Sequence, residues 1–434
     1  MATPIGPSAH SARGAALLLA GGLLMVGLAG CELGDPSDGA PVPDRELVHP
    51  VAERLLSADD SLQPREVSLQ NHDGEETGAG VSLRGFESSV RFGVLDEPAA
   101  EVLGSIVGGV LLRDGSVAVV DRNFGVVRWF SEDLQPLAVI GTSGDGPGEF
   151  VNPVGVQESL SGDLWVANHL GSRLRLERFA RMDDGFEFES RELLNVVSDD
   201  GARFCISGDR ILASGLDVME VDGSDGRNLP YLSSGSFVHE LSLVGEQVGG
   251  MPSPYSGLEV AADGADLSRG GETARYELSS NVEIALIFST IRIDCTSPPA
   301  EGKVSTWVGY SALGEIHALD PMGRVVWIVR LTDQQGPRMV QRIHSFGTSV
   351  GLDTDQSADE IEMIESVVQL SSNILAVSVR SRNGDGFRTY LLDPSTGALI
   401  DGFISDHMVL AGRGGRVLLY REFPHPELAL MELE

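Results

Sequence analysis

Lysine is almost missing from this chain of 434 residues: Lys303 stands alone among 31 basic residues, against 64 acidic ones, for a formal net charge of −33. An acidic surface of this kind repels phosphate backbones and anionic headgroups, which argues against nucleic acid as a partner and against membrane attachment through a basic face. Aromatic residues make up only 6% of the chain and cysteines number three. No stretch reaches the roughly 20 apolar residues of a membrane span. The nine histidines are scattered, without His-Glu-x-x-His spacing. No Gly-x-Ser-x-Gly nucleophile lies at a strand-to-helix turn, and no Gly-Lys-Ser/Thr follows a glycine-rich run.

What is abundant is turn chemistry. Fifty-three Gly and 21 Pro separate short runs of Val, Leu and Ile, and 42% hydrophobic residues supply ample core. The pattern predicts an all-β protein of many short strands.

The N-terminus carries an address. Arg13 precedes an apolar run, Ala15 to Val26, that ends in Leu28-Ala29-Gly30-Cys31. An uncleaved anchor is the competing reading, but the run is short and interrupted by Gly21, Gly22 and Gly27. The segment resembles the signal peptide and lipobox of bacterial lipoproteins. The resemblance implies removal of residues 1–30, acylation of Cys31 (palmitate among the chains) and residence in the cell envelope, at the outer membrane or the periplasmic face. Several acyl chains hold a protein stably on a membrane without further contact. Residues 31–84 follow, rich in Asp, Glu, Pro, Ser and Gly. Such composition is expected to form a flexible tether, with Val51 to Leu56 as a brief helix. The folded domain is expected over 85–434.

With Cys31 assigned to lipid, Cys205 and Cys295 remain. In an oxidising compartment they are a candidate disulfide; two free buried thiols are the alternative. Neither has the CxxC or histidine partner of a metal site.

From Phe86 onward the chain repeats. The stretch Asp114-Gly115-Ser116-Val117-Ala118-Val119-Val120-Asp121, running on to Phe130, is echoed by Gly162-Asp163-Leu164-Trp165-Val166-Ala167-Asn168, with Asp121 and Asn168 47 residues apart. Weaker echoes begin at Gly208, Gly314, Asn373 and Gly415. A period of roughly 40–50 residues is that of four-stranded propeller blades. Six units are expected, with Ser89 to Val94 adding the fourth strand to Met408–Ala411, Arg416–Arg421 and Leu428–Leu433, so that the last blade is closed from the N-terminal side. An insertion, Met251 to Thr273, reads as a surface loop or the remnant of a seventh blade, and it is where partner contacts are expected.

The sharpest motif is Ile140-Gly141-Thr142-Ser143-Gly144-Asp145-Gly146-Pro147-Gly148-Glu149-Phe150. It resembles the glycine-rich linker of NHL-type repeats, and with the VVD and VAN strand ends it is similar to six-bladed propeller lipoproteins of bacteria. The match covers residues 110–180. Its role is structural: Gly141, Gly144, Gly146, Pro147 and Gly148 shape the turn, Glu149 accepts from turn amides, and Phe150 plugs the groove between blades.

Two functions fit. One is a non-enzymatic, membrane-tethered scaffold, expected as a monomer without cofactor, that binds a protein, peptide or glycan in the envelope. The other is a metal-dependent lyase or lactonase-like enzyme, because some enzymes with NHL-type repeats hold a metal on the axis with histidines from several blades. His169, His239 and His317 are the candidate ligands, with His344 and His407 as further ones. Trp129, Trp165, Trp307 and Trp327 fall in the strand rhythm and read as core.

Overall fold

The computed structural model describes residues 45–46, 64–69, 90–93, 102–170, 173–197, 203–214, 216–222, 228–233, 236–242, 247–252, 290–295, 304–311, 313–336, 339–344, 347–352, 360–381 and 386–433. They belong to one compact unit, Asp44–Glu434. The signal segment, Cys31, the expected helix at Val51 to Leu56 and all of the insertion beyond Pro252 lie outside the described residues.

The fold is an all-β propeller. Six antiparallel sheets of at least four strands follow one another along the chain. Sheet 1 is Ile106–Leu111, Val117–Asp121, Val126–Phe130 and Pro136–Ile140. Sheet 2 is Pro153–Glu158, Leu164–Leu170, Arg173–Met182 and Gly185–Val197, and sheet 3 is Phe204–Ser207, Arg210–Ser214, Ser236–Ser242 and Gln247–Pro252. Sheet 4 comprises Ile291–Cys295, Thr306–Tyr310, Glu315–Leu319 and Val325–Leu331; sheet 5 comprises Ile364–Ser371, Ile374–Arg380, Phe387–Leu392 and Leu399–Ser405. Sheet 6 joins Met408–Arg413, Arg416–Arg421 and Glu427–Glu432 to Val90–Phe92, which pairs antiparallel with Leu428–Leu430. The first strand of each sheet lies against the first strand of the next, from sheet 1 through sheet 6 and back to sheet 1.

A count of regular blades gives five where the repeats predict six. Sheet 3 is the irregular member. Between its second and third strands a hairpin, Leu216–Asp222 with Asn228–Ser233, leaves to pair with the outer strand of sheet 2 through Val196 and Val197.

The repeat has a physical basis at its strand ends. Asp121, Asn168 and Ser214 each end or nearly end the second strand of sheets 1, 2 and 3. Each accepts from the chain entering the first strand of its own sheet. Gly104 N donates to Asp121 Oδ2 at 3.0 Å, and Val151 N and Asn152 N donate to Asn168 Oδ1 at 3.1 and 2.9 Å. Arg203 N donates to Ser214 Oγ at 2.8 Å. A short polar side chain at this position satisfies amides that the ladder leaves over.

Alternate residues of each strand face the two neighbouring sheets, so the core is a ring of wedges. Apolar clusters fill the junctions between sheets 1 and 2, 2 and 3, 4 and 5, 5 and 6, and 6 and 1. All four tryptophans are buried. Trp307 and Trp327 both donate Nε1–H to the carbonyl of Pro394, and Trp129 donates to Ser116 Oγ.

The expected tether is partly ordered, which corrects the reading of 31–84 as flexible throughout. Arg65–Val67 runs parallel to Val329–Leu331 on the outer edge of sheet 4, Val67 is buried, and Leu69 N donates to Asp333 Oδ2 at 3.0 Å. Arg45–Glu46 pairs with Val340 and Gln341 of a separate hairpin, Met339–His344 with Gly347–Leu352. Two short stretches inside the expected tether thus pair with later strands of the chain.

Candidate functional site: the axial channel

The six first strands surround a cavity of about 470 Å3 on the propeller axis. That volume is in the range of small-molecule pockets. Each strand presents one edge of its backbone toward the axis, and unpaired edges need partners. Along sheets 1, 2 and 6 the wall includes Gly108, Gly109, Gly155 and Gly412. Close packing enforces glycine here: a Cβ on Gly108 would come 3.1 Å from Gly155 Cα, and one on Gly412 would come 2.6 Å from Leu370 Cδ2.

Along sheets 3, 4 and 5 side chains satisfy the edges instead. Arg203 Nη1 donates to Val154 O at 3.1 Å. Arg292 Nε donates to Glu365 O at 2.8 Å while its Nη2 reaches Glu365 Oε2 at 3.1 Å. Asp294 Oδ2 accepts from Gln369 N at 2.6 Å, and its Oδ1 accepts from Cys295 N at 2.9 Å. Arg292 and Asp294 are two apart on one strand, so both lean toward sheet 5.

The two carboxylates are in opposite electrostatic states. Burial works to raise Glu365, but the guanidiniums of Arg292 and Arg380 outweigh it and hold the group below the usual carboxylate range. Among the described residues Asp294 has no such cation. Burial pushes it up to about 6, and the two backbone amides only partly offset that.

Cys205 and Cys295 form a disulfide across the sheet 3 to sheet 4 junction, with a Cα–Cα distance of 6.0 Å, and Cys295 lies in the channel wall. At the end of the channel where the first strands finish, Arg413 Nη1 of sheet 6 pairs with Glu158 Oε2 of sheet 2 at 2.7 Å, and Arg113 N of sheet 1 donates to the same carboxylate.

The histidines are dispersed over the sheets. His169 is buried on the second strand of sheet 2, its N–H bonded to Asn152 O at 2.8 Å. His317 is buried in sheet 4, 3.0 Å from Glu315 Oε2 and edge-on to Tyr310. Burial raises Glu315, but the His317 and Arg330 contacts prevail and lower it. His407 sits between Asp406 at 2.6 Å and Glu427 at 3.4 Å. His239 pairs by its backbone with Ala213 and Gly250, and His344 with Gly347; their side chains lie outside the described residues. Of the described side chains, those of His169, His317 and His407 do not line the channel. Among the described residues, no group of three or more His, Cys, Asp or Glu side chains comes together as a metal site.

The glycine-rich linker lies away from the channel, between sheets 1 and 2. Gly141 has φ +73°, and a Cβ there would meet Phe150 Cε2 at 2.2 Å. Gly144 N donates to Phe150 O, and Gly146 N donates to Glu149 Oε2 at 2.7 Å across the turn formed by Pro147 and Gly148. Phe150 is fully buried against Phe179. Arg175 Nη2 holds Glu149 O at 2.9 Å.

Arg292, Asp294, Glu365 and Gln369 were not singled out as a site from sequence. The only visible signal was the polar alternation of Arg292-Ile293-Asp294-Cys295, which does not reveal that sheet 5 faces it.

No family matches this chain, and no curated protein matches it in sequence. Solved propellers resemble it at low identity. A member of the DUF4221 family from Bacteroides vulgatus is 14% identical, over 80% of this chain and 96% of that one, at a TM-score of 0.47. The PQQ-bound aldose sugar dehydrogenase of Streptomyces coelicolor is 12% identical, over 80% and 98%, at 0.43. Virginiamycin B lyase of Staphylococcus aureus is 10% identical, over 79% and 98%, at 0.37.

Proposed function

We propose that this protein is a lipid-anchored component of the bacterial cell envelope, held through Cys31, whose six-bladed, NHL-like propeller binds a protein, peptide or glycan partner without catalysing a reaction. The observation that carries the reading is the character of the axial channel. Its polar groups are arginines, amides, hydroxyls and two carboxylates already bound to neighbouring blades, and among the described side chains His317 and His407 stand apart, each beside its own carboxylate partners. A metal enzyme of the kind weighed above requires those histidines to converge. The count of six is supported by the closed ring of first-strand contacts, with sheet 3 as a blade carrying an inserted hairpin.

The test uses the full chain extracted in detergent. Elemental analysis after dialysis is expected to find substoichiometric metal, and cross-linking in the envelope is expected to recover a specific partner that Cys31→Ala releases from the membrane fraction. A full equivalent of zinc or calcium surviving dialysis overturns the non-enzymatic reading.

A further inference from the structure

Asp294 stands apart from the other charged groups of the channel wall. Arg292 and Glu365 neutralise one another, Arg380 adds a second cation to Glu365, and Arg413 is paired with Glu158. Arg203 donates to a backbone carbonyl of the preceding sheet. Asp294 has two backbone amides and, among the described residues, no cation. Each of its oxygens accepts one hydrogen bond, and a carboxylate oxygen has a second lone pair to offer. The carboxylate sits on the wall of a cavity that Gln157, Gln369 and Ser371 also line, with Val107 on the opposite side of the ring.

We propose that the axial channel binds a small organic cation, an amine or a guanidinium, with Asp294 as its counter-charge. This rests on the reading of the propeller as a binding protein and names the ligand class of its channel. The geometry that points to a cation is a carboxylate which, among the described residues, has only two backbone amides and no cation as partners, on the wall of a cavity of small-molecule size. A divalent metal does not fit as well. Calcium takes six to eight oxygen ligands, and one carboxylate with half of its lone pairs engaged supplies too few. An ammonium or guanidinium needs less, because a single carboxylate with free lone pairs supplies its main charge-assisted acceptor.

The experiment is calorimetric titration of the full chain in detergent with butylammonium, with butanol as the neutral counterpart and calcium chloride as the inorganic one. Butylammonium is expected to bind, butanol and calcium to bind far more weakly, and Asp294→Asn to lose the amine while binding butanol as before. In the unaltered protein the affinity for the amine is expected to fall about tenfold from pH 7.5 to pH 5, as Asp294 takes up its proton. That profile carries the test if the variant does not fold; Arg292, Arg203 and Arg413 stay charged throughout this range. Equal binding of amine and butanol, a pH-independent affinity, or calcium binding as tightly as the amine overturns the proposal. If neutral saccharides or peptides occupy the channel and the amine does not, the ligand class is wrong and the binding reading stands. A stoichiometric metal with turnover of substrate sinks that reading as well.

Discussion

The junction between sheets 1 and 2 and the junction between sheets 3 and 4 solve the same problem with different chemistry. In the first, only twelve residues separate Ile140 from Pro153. A short linker keeps neighbouring blades at high effective concentration, and an apolar plug, Phe150 against Phe179, Ile140 and Val127, is enough to seat them. In the second, 38 residues separate Pro252 from Ile291. A longer connection costs more entropy to close, and here the innermost strands are joined covalently by Cys205 and Cys295 across a sequence separation of 90. In the chain-entropy description a loop of that size is worth roughly 4–5 kcal/mol. These two junctions thus share an outline, and the one with the longer connection carries the covalent bond.

Four measurements sharpen or break that comparison. Phe150→Ala is expected to have the largest effect, about 3–5 kcal/mol of stability, because it empties a fully buried wedge. A loss below that of the disulfide would mean that sheets 1 and 2 are held mainly by their linker hydrogen bonds. Next, removing the disulfide by Cys205→Ser with Cys295→Ser is expected to cost about 2–4 kcal/mol, the usual measured range and below the chain-entropy figure, which neglects residual structure in the reduced unfolded chain. Denaturant midpoints should shift with reductant in the unaltered chain and not in the double variant. If reductant shifts neither, the apolar contacts at that junction suffice by themselves.

Asn168→Ala is expected to cost about 1–3 kcal/mol, since the amides of Val151 and Asn152 lose their acceptor. Asn168→Asp should retain most of it, because Asp121 serves the same purpose in sheet 1. The smallest effect is a pH dependence at the junction of sheets 4 and 5. Asp294 is raised in the folded state, so the folded protein holds that proton more tightly and the contribution declines as pH rises from 3.8 to about 6. Glu365 is lowered, so its contribution is present above the ordinary carboxylate value of 4.5 and is lost as pH falls. Unfolding midpoints of the unaltered chain relative to Asp294→Asn are expected to fall across pH 4 to 6, and a flat difference would contradict the assignment.

Much of the fold was legible from residue pattern. Turn residues followed by buried five-residue runs, as in Gly115 to Asp121 and Gly314 to Leu319, mark strands wherever both faces of a blade are covered, because no other element tolerates such runs at that length. The closing strand was legible too, since sheet 6 has three strands of its own and Val90–Phe92 is apolar at the position that pairs. Arg65–Val67 was not. Its own composition is polar, and what stabilises it is the open edge of sheet 4 together with Asp333 and Thr332, more than 260 positions away. The channel was equally hidden: Asp294 and Gln369 are 75 residues apart, and the polar alternation of one strand does not say which neighbour it will meet.

By itself, then, the sequence determined the strand content, the repeat, the glycine turn that lets Phe150 enter the core and the expectation that Cys205 and Cys295 pair. These follow from local sterics and from the need to bury apolar runs, which act over a few residues. The tertiary structure alone decided that His169 and His317 lie in separate sheets, that Arg65–Val67 joins the edge of sheet 4, and that Asp294 lines the channel with no cation partner among the described residues. Such outcomes depend on which distant backbone edges come to lie side by side, and only closure of the ring sets that.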